Sequence, residues 1–201
     1  MKIFSTLIIA LISVNMSAQS LSDNDEKDIR VRIDEYFVYI MDNDYPNMME
    51  YAYPKIFTLT TKEQMIAVFD GLESMGIGLN VDDIRLNGVE GLIDKDDKRF
   101  AIADYSVEIR VELLSETMQS PEVIESLKSS FTVSYNAKNM NYDEETHMLS
   151  FNGRKYLLAV KDPDYDADNW YLLEYDASNP MAAEMLLDSD VLEKFKAKMK
   201  N

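Results

Sequence analysis

The stretch FAIADYSVEIRVEL, Phe100 to Leu113, decides the fold. Ala101, Ala103, Tyr105, Val107, Ile109, Val111 and Leu113 share one parity, while Ile102, Asp104, Ser106, Glu108, Arg110 and Glu112 share the other. Successive strand side chains point to opposite faces, so the pattern predicts a long strand with one apolar and one largely polar face. Such a strand needs neighbours on its edges and a cover over its apolar side. On the N-terminal side Ile84 and Leu86 predict a strand, with Gly88 and Gly91 as bulges or bends and DKDDK (Asp94 to Lys98) as a polar turn. On the C-terminal side Phe131, Val133 and Tyr135 alternate, and MLSFNGRKYLLAV (Met148 to Val160) and NWYLLEY (Asn169 to Tyr175) read as further strands. Asn152-Gly153 is a candidate tight hairpin turn, and Pro121 to Lys128 a helical turn within an insertion.

The cover comes from the residues before Gly78. From Asp25 onward Ile29, Ile33, Tyr36, Phe37, Ile40 and Met41 lie on one helical face. DNDYP ends that helix, with Asp44 placed to cap a second short one and Pro46 in its first turn. Met48, Met49, Ala52 and Tyr53 form its apolar side before Pro54. A third helix opens with a capping box, Thr60 with Glu63 or Thr61 with Gln64. Met65, Val68, Phe69 and Leu72 are expected to face inward, and Gly76 to cap its C-terminal end. At the end of the chain Pro180 opens a helical segment, and Asp188 or Ser189 caps VLEKFKAKMK, whose lysines suit a helix C-terminus.

Met1-Lys2, the apolar run Ile3 to Val14 and the small residues Ser17-Ala18 have the layout of a secretory signal peptide. Export to the periplasm or outside the cell is the expectation. There is no cysteine, so neither disulfides nor a cysteine-linked lipid anchor is available. A formal net charge of −17 disfavours nucleic acid and anionic lipid as partners. At 46% apolar content the chain can bury a sizeable core.

The expected organisation is a signal peptide (1–18), one α+β domain (19–177) and a C-terminal helical extension (178–201). Three N-terminal helices would pack on a strongly curved antiparallel sheet. The long helix, the short helix of DYPNMMEYAYP, the capped third helix, the curved strands and the lone tryptophan of DNWYLLEY resemble a known family. It is the cone-shaped, SnoaL-like family of ketosteroid isomerase, scytalone dehydratase and nuclear transport factor, especially its small exported bacterial members. The resemblance covers roughly Asp25 to Asp176 and implies an open pocket enclosed by sheet and helices. It also implies a sheet face that can pair with a second copy. No catalytic residue of that family is carried over.

The chemistry-bearing residues are few. KDPDYDADNWYLLEY (Lys161 to Tyr175) sets Asp162, Asp164, Asp166 and Asp168 at alternate positions, as a calcium loop would. Counting from Asp162, however, the sixth position is Ala167 where glycine is needed and the twelfth is Leu173, which cannot ligate. An acidic hairpin turn beginning at Pro163 is the expectation. His147, the only histidine, lies in a polar turn and reads as structural and exposed. With no cysteine and one histidine, thiol catalysis and a Cys/His zinc site are excluded, and no glycine-rich phosphate loop exists. Asp104 falls on the polar face of its strand, so it reads as a solvated carboxylate. Among twelve tyrosines and one tryptophan, Tyr36, Tyr53, Tyr105, Tyr135 and Trp170 are the candidate ligand-binding set, the alternative being that they fill the core.

No catalytic residue, metal or cofactor is assigned. The expected function is a non-catalytic binding or accessory module for a small ligand or a protein partner. The alternative is a small carboxylate-dependent lyase, isomerase or hydrolase acting in the pocket. A closed pocket with a desolvated Asp or Glu within hydrogen-bond range of a tyrosine would favour the enzyme. A pocket plugged by Trp170 and Phe or Met side chains would favour the module.

Overall fold

Phe100 to Leu113 is strand, and the computed structural model, which describes residues 21–176 and 179–199, extends it back to Lys98. The five strands are β1 (Ile77–Lys95), β2 (Lys98–Leu113), β3 (Lys138–Asp143), β4 (Met148–Asp162) and β5 (Asp166–Glu174). All pair antiparallel in the order β1-β2-β4, with β3 and β5 sharing the far edge of β4. Three register shifts, at Val81/Asp83, Leu86/Gly88 and Gly91/Ile93, bend the long β1 along β2. Two of them fall at the glycines expected to break it. Asp96 and Asp97 take positive φ in the two-residue β1–β2 turn, a geometry aspartate tolerates.

The helices are α1 (Asp23–Met41), α2 (Tyr45–Met48), α3 (Lys62–Gly71), α4 (Pro121–Tyr135), α5 (Met181–Leu186) and α6 (Ser189–Met199). Ser22 caps α1 and Asp44 caps α2. Thr61 and Gln64 close the capping box of α3, and Gly76 ends the turn that follows it at φ 86°. Ile29, Ile33, Tyr36 and Phe37 of α1 pack against Ala101, Ala103, Tyr105, Val107, Ile109 and Val111 of β2, as the alternation requires. The other face of β2 is apolar only near its start. There Phe100 and Ile102 join Leu158, Val160, Leu186, Val191 and Phe195 in a second core under α5 and α6. Beyond Ile102 that face carries ion pairs, Arg154 with Asp104 and Arg110 with Asp82. The sheet face expected to be open is therefore covered at one end and charged at the other.

Four expectations are corrected. Phe131, Val133 and Tyr135 belong to α4, one helix from Pro121 to Tyr135, and not to a strand. Phe131 and Tyr135, four residues apart, both meet Phe151, and Val133 points to solvent. Asn152-Gly153 is no hairpin but the middle of β4. A Cβ on Gly153 would stand 3.0 Å from Tyr135 Cβ and 3.1 Å from its carbonyl oxygen, so the glycine admits the end of α4 onto the strand. Val68 and Met41 are exposed; α3 turns Ile66 to the core in place of Val68. The short second helix, expected to carry Met48 to Tyr53 up to Pro54, stops at Met48, and Pro54 starts a 3₁₀ turn, Pro54–Thr58. The signal peptide expected over residues 1–18 lies outside the described residues. Among the described residues no helix is long and apolar enough to cross a membrane.

Candidate ligand cavity

Between the concave sheet face and the N-terminal helices lies a cavity of about 350 Å³ with mostly apolar walls. Ile40, Met49, Met65, Phe69, Val81 and Ile109 are among them. Strand parity delivers its polar groups. Tyr105 sits on the apolar parity of β2 and is paired in register with Lys155 of β4. Lys155 shares its parity with Leu149, Phe151, Leu157 and Ala159, all core residues. Glu174 ends β5 on the parity of Trp170 and Leu172. Tyr36 enters from α1 and Tyr135 from the last turn of α4.

These five side chains form one cluster on the cavity wall. The Tyr105 hydroxyl donates to Glu174 Oε1 at 2.7 Å. Lys155 Nζ lies 2.9 Å from Glu174 Oε2 and 4.6 Å from the Tyr135 ring centroid. Oε2 is shielded from water and, among the described residues, has no donor in hydrogen-bond alignment, so its contact with Lys155 is an ion pair of poor angle. The Glu174 side chain as a whole keeps 32% of its surface exposed, against 12% for Lys155.

Burial, reinforced by the negative charge of Glu174, pushes the Tyr36 and Tyr105 hydroxyls well above the usual phenol range. Burial also raises Tyr135, Lys155 opposing and Glu174 assisting. Burial by itself would lower Lys155, but Glu174, Tyr135 and Asp176 together carry it well above the usual amine range. The cluster therefore sets an ammonium and neutral hydroxyls around the Glu174 side chain. A lysine that keeps its proton serves neither as nucleophile nor as general base.

Three of the five expected residues, Tyr36, Tyr105 and Tyr135, line this cavity; Tyr53 and Trp170 do not. The Tyr53 hydroxyl donates to Asp162 Oδ2 at 2.5 Å, beneath the β4–β5 hairpin. Trp170 is buried with the Arg99 and Lys161 cations near its ring, and among the described residues its indole N–H has no hydrogen-bond partner. The Arg32 Nε–H donates to its carbonyl at 3.1 Å. The Tyr105–Glu174 pair meets the hydrogen-bond part of the condition for the enzyme reading but not its desolvation, since 32% of the Glu174 side chain is exposed, and Trp170 does not plug the cavity.

The acidic hairpin carboxylates turn toward different partners. Asp162 is fully buried and accepts from Tyr53, from Lys98 Nζ at 2.7 Å and from the Asp164 N–H at 3.0 Å. Asp164 accepts from Lys98, while Asp166 accepts from the Asp168 N–H and from Asn169. Among the described residues no three His, Cys, Asp or Glu side chains converge as a metal site. His147 lies in the β3–β4 turn, half-buried where an exposed position was expected, with Nδ1 3.1 Å from the Tyr142 hydroxyl, and it does not line the cavity. Asp104 is held by Arg154 on the opposite sheet face.

Lys155 and Glu174 are the polar residues that the sequence reading missed. The signal for both was a charge occupying an apolar parity position, in -LSFNGRKYLLA- and -WYLLE-. Comparisons of the chain with family profiles, curated proteins and solved structures find no match.

Proposed function

We propose that the protein is an exported, non-catalytic binding module whose cavity takes a small, mostly apolar molecule with one polar end. The observation that carries this reading is the division of the cavity. Apolar walls border about 350 Å³ of partly open space, and Lys155, Glu174 and three tyrosines contribute its polar lining. The leader-like N-terminus supports export. Three helices over the concave side of a bulge-bent sheet support membership of the cone-shaped family.

A second reading, a small carboxylate-dependent lyase, isomerase or hydrolase, is favoured by one observation: a carboxylate hydrogen-bonded to a buried tyrosine in the cavity. Binding ranks first because Glu174 already holds the Tyr105 hydroxyl and neighbours an ammonium that keeps its proton.

Titration with the neutral fluorophore N-phenyl-1-naphthylamine tests the cavity. The expected result is saturable one-to-one enhancement, weakened at least about tenfold by Val81→Trp, which fills the space from a partly buried position. Unsaturable enhancement, or equal affinity in the filled variant, would refute the reading.

A further inference from the structure

The outer face of the sheet, opposite the cavity, is covered by α6 only near its start, over Phe100 and Ile102. Beside the last turn of α6, at Lys198, lies an open groove of about 530 Å³, within the range of small-ligand sites. Ile102, Asp104, Arg154 and Tyr156 line it from β2 and β4, and Glu90 from β1. Gly88 leaves part of its floor bare. It pairs in register with Asp104, and a Cβ built on it would meet nothing within 4 Å. Arg154 also borders a second depression of about 320 Å³, lined by the exposed residues Asn136, Asn139 and Asn152.

Charge along the groove is already paired. Arg154 holds Asp104 at 2.6 Å, Lys198 holds Glu90 at 2.5 Å, and Arg30, which also lines the groove, holds Glu26 at 2.8 Å. The second depression sets Arg85 and Lys138 against Asp83 and Glu108, equal in number. A charged ligand would have to displace one of these partners, whereas an uncharged one would not. Hydrogen-bonding capacity is nevertheless left over. Among the described residues, Arg154 and Arg30 each commit Nε and Nη2 and keep Nη1, on side chains 48% and 42% exposed. Glu90, 65% exposed, engages Oε2 and keeps Oε1 as an acceptor. The three asparagine amides add donors and acceptors without charge. Such a mixture suits hydroxyl groups, which donate and accept at once. We infer that this face binds a neutral oligosaccharide, its hydroxyls bridging Arg154, Glu90 and the asparagines while a carbon–hydrogen ring face rests over Gly88 and Tyr156. The two depressions joined at Arg154 set its length at more than one sugar ring. The site is separate from the cavity and shares no lining residue with it.

Proton–nitrogen correlation spectra, recorded during titration with maltotriose, cellotriose and chitotriose and with the charged trigalacturonate, test the inference. At least one neutral trisaccharide is expected to give saturable shifts centred on Gly88, Asp104 and Arg154, with trigalacturonate at least about tenfold weaker. Gly88→Trp, whose side chain enters open space, is expected to abolish the binding. Asn152→Ala, at an exposed position, is expected to weaken it severalfold. Val81→Trp, which fills the cavity on the other face, should leave it unchanged. Absence of saturable shifts with all three neutral sugars, shifts centred on the cavity walls, or tighter binding of trigalacturonate would overturn the inference. So would unchanged affinity in both Gly88→Trp and Asn152→Ala. None of these outcomes bears on the fluorophore titration of the cavity.

Discussion

Two clusters in this protein use the same three side-chain types, a carboxylate, a lysine and a tyrosine, yet only one borders open space. Under the β4–β5 hairpin, Asp162 accepts from Tyr53, Lys98 and the Asp164 N–H, and both of its oxygens are used. On the cavity wall, Glu174 Oε1 accepts from Tyr105 while Oε2 has only an ill-aligned ammonium. The difference teaches that residue type does not assign a role; completeness of the hydrogen bonding and the adjoining volume do. The first cluster ties the Tyr53 loop and the β1–β2 turn to the hairpin. The second is left with unfinished bonding beside a void, the property on which the proposed binding role rests.

The sharpest way to break that contrast is to remove each carboxylate. Asp162→Ala strands a buried hydroxyl, a lysine and a backbone N–H together, and is expected to cost about 3–5 kcal/mol. Glu174→Ala strands one hydroxyl and one lysine beside a cavity that water can enter, and is expected to cost about 1–3 kcal/mol. Urea unfolding of both variants measures the order; a reversal would mean that the cavity cluster, not the hairpin, anchors the fold.

Apolar replacement of whole clusters sharpens the comparison at a smaller scale. Tyr105→Phe/Lys155→Met/Glu174→Leu removes the hydroxyl, the ammonium and the carboxylate that contact one another, so its stability is expected within about 1 kcal/mol of the parent. Tyr53→Phe/Lys98→Met/Asp162→Leu cannot recover in the same way, because the Asp164 N–H is backbone and stays without its acceptor. It is expected to remain about 1–3 kcal/mol less stable. Equal stabilities in the two triple variants would erase the distinction drawn between a structural and a binding cluster.

The hairpin cluster was half legible in the sequence and the cavity cluster barely so, for physical reasons. The aspartates of KDPDYDADN announce a turn through local chemistry, as the Thr61–Gln64 capping box and Gly76 announce helix ends. That Asp162 would be buried depends on Tyr53 and Lys98, each more than sixty residues away, and no local pattern carries such a contact. The one-sided strand Phe100–Leu113 was readable because parity is a short-range signal. The same signal held Lys155 and Glu174, but a charge in an apolar position reads as noise until tertiary packing supplies its partner. Phe131, Val133 and Tyr135 misled because their alternation coincides with an i, i+4 pair on α4. Only Phe151, twenty residues beyond Phe131, decides between the two periods.

The faintest expected difference lies in pH. Burial would raise Asp162, but Lys98, Tyr53 and the Asp164 N–H together hold it below the usual carboxylate range. A carboxylate depressed in the folded state adds stability above its unfolded value near 4, and that contribution is lost as pH falls through the folded value. Lys155 has the opposite sign. Its folded value is raised, so its contribution is complete below the unfolded value near 10.4 and is lost as pH rises beyond it. The stability gap between the parent and Asp162→Asn should therefore narrow below about pH 4, while the gap to Lys155→Met should narrow as the pH rises above about 10. Chemical denaturation of the three proteins across that range reads both gaps. If the Asp162→Asn gap stayed constant on acidification, the aspartate would not be held by Lys98 and Tyr53, and the hairpin cluster would lose its claim to be the completed one.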